Sequence, residues 1–354
     1  MAGKIGMRKA VFYGLMATVV WLTLASWRTD AVPNKLSDYG FFAGNPALQK
    51  PVAGVVPYAL NTPLFSDYAE KLRFVKLPDG QPVAYNDSAV LDFPVGTTLI
   101  KTFYFPNDFR DPAKGRRLVE TRLLLHQPAG WKAFDYVWND EQTDAMLEVA
   151  GDTKPVQFVD NKGQIHQQNY VIPNLNQCKG CHNRNEVMTP IGPSVRQLNG
   201  NLTYGGTAKA TPENQLTYWK QERMLAGMPP LADCPKAPVW NNPETGSLND
   251  RARIWLDINC AHCHNPKGPA MTSGLNLRAS ETDLTALGIL KTPVAAGRGS
   301  GGHSFDVVPG KPDESILIYR LQSTDPGEMM PELGRKTVQT ESLALLQEWI
   351  KAMK

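Results

Sequence analysis

Two stretches of one form, Cys178-Lys179-Gly180-Cys181-His182 and Cys260-Ala261-His262-Cys263-His264, use four of the five cysteines in this 354-residue chain. Cys-x-x-Cys-His is the attachment motif of a covalent c-type haem. The chemistry dictates the spacing. Two thiols add to two vinyl groups on one porphyrin edge, so they must stand about one helical turn apart on one face. The next residue then lies beneath the ring, where a neutral imidazole ligates iron. The sequence therefore implies two covalently bound haem c groups, held by Cys178, Cys181, Cys260 and Cys263, with His182 and His264 on the irons. A zinc ribbon would bring its two cysteine pairs within about 15–20 residues. Here they lie much farther apart, and each carries a trailing histidine. A thioredoxin-type dithiol needs a strand–helix context and usually occurs once.

The N-terminus agrees with that chemistry. Lys4, Arg8 and Lys9 precede an uncharged, mostly apolar run over residues 10–26, the form of an export signal. Haem c attachment takes place outside the bacterial cytoplasm, so a periplasmic location is expected. Cleavage near residue 31 would release a soluble protein; an uncleaved segment over residues 10–26 would tether it to the inner membrane. Removing Lys4, Arg8, Lys9, Arg28 and Asp30 from the count leaves 33 basic and 33 acidic residues. A neutral chain of that kind argues against nucleic-acid binding. The 29 glycines and 28 prolines imply long loops.

After the signal, residues 32–172 read as a β-rich region. Strands are expected at Leu72–Leu77, Ala89–Phe93, Thr97–Phe105, Leu118–Leu125, Trp131–Trp138 and Val156–Val159, punctuated by Pro/Gly turns. That rhythm suggests an antiparallel sandwich or barrel. His126 and His166 fall here and read as structural histidines, with a distal haem ligand as the sharper alternative.

Residues 173–244 form the first haem unit. Pro173 and Asn174 stand so close to Cys178 that no helix is expected to enter the motif, which makes this unit atypical. A helix opening at Thr211-Pro212 leads to Met224 and to Met228-Pro229-Pro230. Met228 is the candidate distal sulfur for the first iron, with core packing as the bland reading. Cys234 reads as a single buried thiol. Residues 245–354 form the second unit. Here a helix over Leu248–Asn259 enters Cys260 directly, and a Thr340-capped helix closes the chain. Met330, beside Pro331 and just ahead of that last helix, is the candidate distal ligand of the second iron. His303, in the Gly297–Gly302 loop region expected against the porphyrin, is the runner-up. His262 is expected to face solvent. The architecture expected is thus α+β and multidomain: an antiparallel β domain followed by two mostly α-helical cytochrome c-type units.

The exported region resembles a family of bacterial diheme c-type cytochromes. The resemblance rests on Asn61-Thr62-Pro63-Leu64-Phe65-Ser66-Asp67-Tyr68-Ala69, Glu120-Thr121-Arg122-Leu123-Leu124, Val137–Ala145, Gln197-Leu198-Asn199, Asn259–His264, Pro309-Gly310 and Met330-Pro331, in that order. Residues 245–354 resemble a class I cytochrome c. The family implies haem c and export, and no established substrate. Electron transfer between periplasmic or membrane redox partner proteins is the function expected. The alternatives are a peroxidase-like diheme oxidoreductase with one open iron, and a β-domain ligand-binding module coupled to haem redox state. No acid–base pair can be assigned beside either motif, so a carrier is favoured over an enzyme.

Overall fold

The computed structural model describes residues 32–205 and 211–354. The expected signal or anchor over residues 10–26 lies outside the described residues; among the described ones no helix is long and apolar enough to cross a membrane. Residues 35–354 make one compact unit.

The organising element is a six-stranded antiparallel sheet in the order β1-β2-β4-β5-β6-β7. Its strands are β1 (Val55–Pro57), β2 (Glu70–Lys76), β4 (Thr98–Pro106), β5 (Arg116–Gln127), β6 (Gly130–Trp138) and β7 (Ala145–Glu148); a short β3 (Val83–Ala84) lies outside it. Successive side chains on a strand face opposite ways. Phe74, Ile100, Leu123 and Tyr136 are cross-strand neighbours on one face and are almost fully buried. The chain's lead-in covers that face: Phe42 meets Phe74 edge-on, and Tyr39 meets Tyr136. A hairpin of β8 (Asp152–Val159) and β9 (Ile165–Ile172) packs on the opposite face. There Phe158, Tyr170 and Ile172 form one cluster with Phe103, Phe105, Val119 and Val137.

The two mostly helical haem units do not exist, and this overturns the expected architecture. Six α-helices occur among the described residues: α1 (Leu175–Cys181), α2 (Val195–Leu198), α3 (Gln215–Gln221), α4 (Leu248–Asn259), α5 (Ile316–Gln322) and α6 (Thr340–Lys351). Four of them have seven residues or fewer. Among the described residues, 173–244 have no helical core of their own. Leu198, Leu216, Trp219, Met224 and Met228 are buried against Tyr58, Val75, Leu91, Phe93 and Leu99 of the β region. Leu225–Ala226 also pairs in parallel with β3. Residues 245–354 do have a core, in which Ile254, Trp255 and Leu256 of α4 pack with Leu345, Leu346, Trp349 and Ile350 of α6. Yet the segment between α4 and α5 carries only 3-10 turns.

The stretch Asn61–Asp67 is the strap that joins these parts. Asn61 Nδ2 donates to the carbonyls of Arg196, Asn199 and Ala237. The Phe65 N–H donates to Asn259 Oδ1 at 2.8 Å. The buried Asp67 carboxylate accepts from the backbone N–H groups of Lys336 and Thr337 and from the Thr337 hydroxyl.

Candidate functional site

The first motif sits on α1. Asn174 caps that helix: its side chain accepts from the Gln177 N–H, and Gln177 Oε1 accepts from the Asn174 N–H. This capping box satisfies two end-of-helix donors. A short helix therefore does enter Cys178, against expectation. The second motif leaves the C-terminal end of α4, itself opened by a Ser247–Asp250 capping box. Gly268 follows closely enough that a side chain there would run into the Cys263 carbonyl.

Each motif turns its functional atoms onto one cavity. Cys178, Cys181 and His182 line a cavity of about 220 Å³ between the sheet, α1 and the 331–336 loop. Cys260, Cys263 and His264 line a second, of about 630 Å³, together with Met330, Leu277 and Leu321. The second is within the usual range for cofactor pockets, about 300–1,000 Å³; the first falls below it. Cys181 and His262 border both cavities.

The two imidazoles share one hydrogen-bond pattern. His182 Nδ1 lies 2.9 Å from the Thr189 carbonyl oxygen, which can only accept, so Nδ1 carries the proton. His264 Nδ1 lies 3.1 Å from Ser273 Oγ. The Ser273 hydroxyl spends its proton on the Ala270 carbonyl at 2.7 Å, so its oxygen accepts from His264. In both rings Nε2 is left with its lone pair, the tautomer a metal needs. Burial pushes both histidines down to about 4, which keeps them neutral. Burial likewise raises Cys178 to about 11 and Cys260 to about 12.

The donor set fits haem c at both places: two thiols and an imidazole with a free Nε2 at each cavity, and a thioether at the second. The two motifs also meet. The Asn185 N–H donates to the Lys267 carbonyl. One sulfur each from Cys181 and Cys263 and one nitrogen of His262 all lie within 4.8 Å of one another. The closeness of the two thiols draws Cys181 down in pKa and drives Cys263 up. His262 thus stands between the motifs rather than out in solvent, and its buried Nδ1 has no partner.

Other expected residues are placed differently. Met228 is a core residue, 9% exposed within the cluster around Trp219, and does not line the first cavity. His126 stacks on Trp131 and bonds the Phe93 carbonyl; His166 stacks on Phe158 and pairs with Asp160. Both are structural. His303 lies against Tyr319, and the glycine loop beside it packs on Tyr319 and Arg320. Ala295 and Ala296, just before that loop, are what reach the second cavity. Cys234 is buried, its thiol facing the Pro230 carbonyl.

A charged row on the sheet went unread in the sequence. Arg73, Lys101, Arg122 and Asp135 are successive cross-strand partners on β2, β4, β5 and β6. The three cations line the first cavity. A signal was available at Lys101 and Asp135, each of which interrupts an otherwise apolar face of its strand.

Neither the family models nor the curated proteins match this sequence, and no solved structure matches the fold.

Proposed function

We propose that the protein is a diheme c-type cytochrome, exported to the periplasm, that passes electrons between redox partner proteins. The observation that carries this reading is the convergence at each cavity of two thiols and an imidazole whose Nδ1 is already committed. Haem c, when bound, supplies a one-electron iron couple. The chain's own residues do the rest. Cys178 and Cys181, and Cys260 and Cys263, anchor; His182 and His264 offer Nε2; Thr189 and Ser273 hold each ring in its tautomer and orientation. Met330 offers a thioether across the second cavity, and its backbone is fixed independently. Its N–H donates to the Arg320 carbonyl, and its own carbonyl accepts from Arg335 Nε.

The test is covalent attachment. Protein made with haem c maturation should retain its haem through acid–acetone extraction, with two haems per chain by pyridine haemochrome. Cys178→Ala/Cys181→Ala should lose one haem and Cys260→Ala/Cys263→Ala the other. Extraction of all haem refutes the reading.

Two observations favour rivals. No methionine lines the first cavity among the described residues, which suits a peroxidase-like oxidoreductase with an open first iron. A high-spin signal from one of two haems, with added cyanide bound at that haem alone, would support it. The Cys181–His262–Cys263 group suits instead a soft metal ion bridging the motifs. Stoichiometric zinc with no covalent haem would select that reading.

A further inference from the structure

Positive charge clusters on the sheet wall of the first cavity. Arg73, Lys101 and Arg122 line it, with Lys71 nearby, and three of these four crowd one ring: Lys101 Nζ is 4.6 Å and Lys71 Nζ 5.9 Å from the Phe103 centroid, with the Arg122 guanidinium carbon at 4.4 Å. Arg122 is engaged, bonding Glu120 at 2.6 and 2.9 Å and lying 3.5 Å from Asp135. Tyr170 already donates to the same Glu120 at 2.6 Å. Among the described residues Arg73 and Lys101 have no ion pair. Arg73 is 7% exposed, and Lys101 is largely shielded.

Neighbouring acids, Glu70 and Glu120, act on this charge without forming an ion pair with Arg73 or Lys101. Asp67 spends its carboxylate on Lys336 and Thr337. Arg335, on the far wall, spends its guanidinium on the carbonyls of Met330, Thr337, Arg320 and Ser323. Burial and mutual repulsion accordingly lower Lys101 far below the ordinary lysine range and Lys71 to about 7. Uncompensated cations of this sort destabilise a folded chain unless something anionic joins them.

We propose that the row Arg73–Lys101–Arg122 is a binding site for an anionic oxygen group, a carboxylate or small oxyanion, held in the first cavity beside His182. Arg73 offers a planar fork suited to paired oxygens and Lys101 a point charge beside it, while Arg122, its fork spent on Glu120, adds only its field. Two sources carry that chemistry: a free small oxyanion entering the cavity, or a propionate of the haem that Cys178 and Cys181 would hold. Only the second source rests on the proposed function.

The experiment uses the matured full-length protein, with haem content measured on each sample. Inorganic phosphate is titrated by calorimetry into wild type, Arg73→Gln and Lys101→Gln, and both haem midpoint potentials are measured for the same proteins. A free-anion site shows one phosphate per chain, weakened at least tenfold by each substitution. A propionate site shows no phosphate binding, while both substitutions move one midpoint and leave the other unmoved. Absence of both effects, or phosphate binding indifferent to both substitutions, overturns the proposal. A haem-free chain refutes the proposed function and closes the propionate source, and the phosphate titration alone then decides. Lys101→Met guards against misfolding. Relief of repulsion should raise its phosphate-free melting temperature, while phosphate binding or the midpoint changes as for Lys101→Gln; a lowered melting temperature with both readouts unmoved assigns Lys101 a packing role and overturns the proposal.

Discussion

The two motifs share one pattern, and the regions around them are built in opposite ways. The second has its own core: α4 and α6 face each other, with Trp349 Nε1 bonding Asn249 and Trp255 Nε1 bonding Gln339. The first borrows its core from the sheet, so that Trp219 and Met228 are buried among Val75, Leu91 and Leu99. A pentapeptide specifies the chemistry at a site but not the architecture that surrounds it. The same five positions sit at the end of a self-sufficient helix in one case and on a capped helix of about two turns against a sheet in the other.

That contrast can be broken most directly at the two tryptophans. Trp219→Ala and Trp349→Ala should each cost about 3–5 kcal/mol in urea unfolding. Trp219→Ala should expose the sheet and the first motif together to limited proteolysis. Trp349→Ala should first open residues 245–354. Identical cleavage patterns from both variants would erase the distinction.

Acid is expected to act on both regions alike. Each motif histidine titrates at about 4 when folded and near 6.5 when unfolded. The unfolded state therefore binds more protons between those values, and stability falls as pH drops through that window. In chain made without haem the loss should reach about 3 kcal/mol per histidine, seen as lower urea midpoints at pH 4.5 than at pH 7. His182→Gln and His264→Gln should each remove part of that pH dependence; no change in either would mean the rings are hydrated.

Smaller again is the strap. Asp67→Ala leaves two buried N–H groups without their acceptor and should cost about 2 kcal/mol, with Asp67→Asn recovering part of it. Met330→Ala should cost the least, about 1 kcal/mol, because the loop is held by backbone bonds rather than by the thioether. Its signature is spectroscopic: loss of Met–iron absorption and ready carbon monoxide binding at one haem. Met228→Ala should leave that spectrum intact while lowering stability, and the reverse result would return Met228 to the coordination sphere.

What could be read from the sequence followed how local each cause was. α4 spans the expected Leu248–Asn259 because a capping box and a helical apolar period both lie inside it. The central strands at Thr98–Pro106 and Gly130–Trp138 were legible by alternation between turns. β9 was not, since Ile165–Ile172 is mostly polar and buries only Tyr170 and Ile172 under its hairpin partner. Ala89–Phe93 alternates as a strand should, but Leu91 bonds the Pro193 carbonyl in a loop and only Val90 forms a bridge. α1 was hidden because Asn174 was read as a breaker when it is a cap, with Gln177 three residues on as the clue. The two motifs were identified by residue type alone. Their meeting at Cys181, His262 and Cys263, and the cationic row above them, depend on pairings between distant segments that no local pattern encodes.

The strap also sets when the molecule can finish folding. Asp67 and Lys336 are 269 positions apart, so the carboxylate finds its partners only once everything between them has been delivered. Contacts of that span are slow to close. On a chain threaded outward from its N-terminus, both cysteine pairs emerge before Lys336 and Thr337 arrive to secure the strap. Chemistry at those thiols has an interval in which the walls around them are still open, and the arrival of Lys336 and Thr337 ends it.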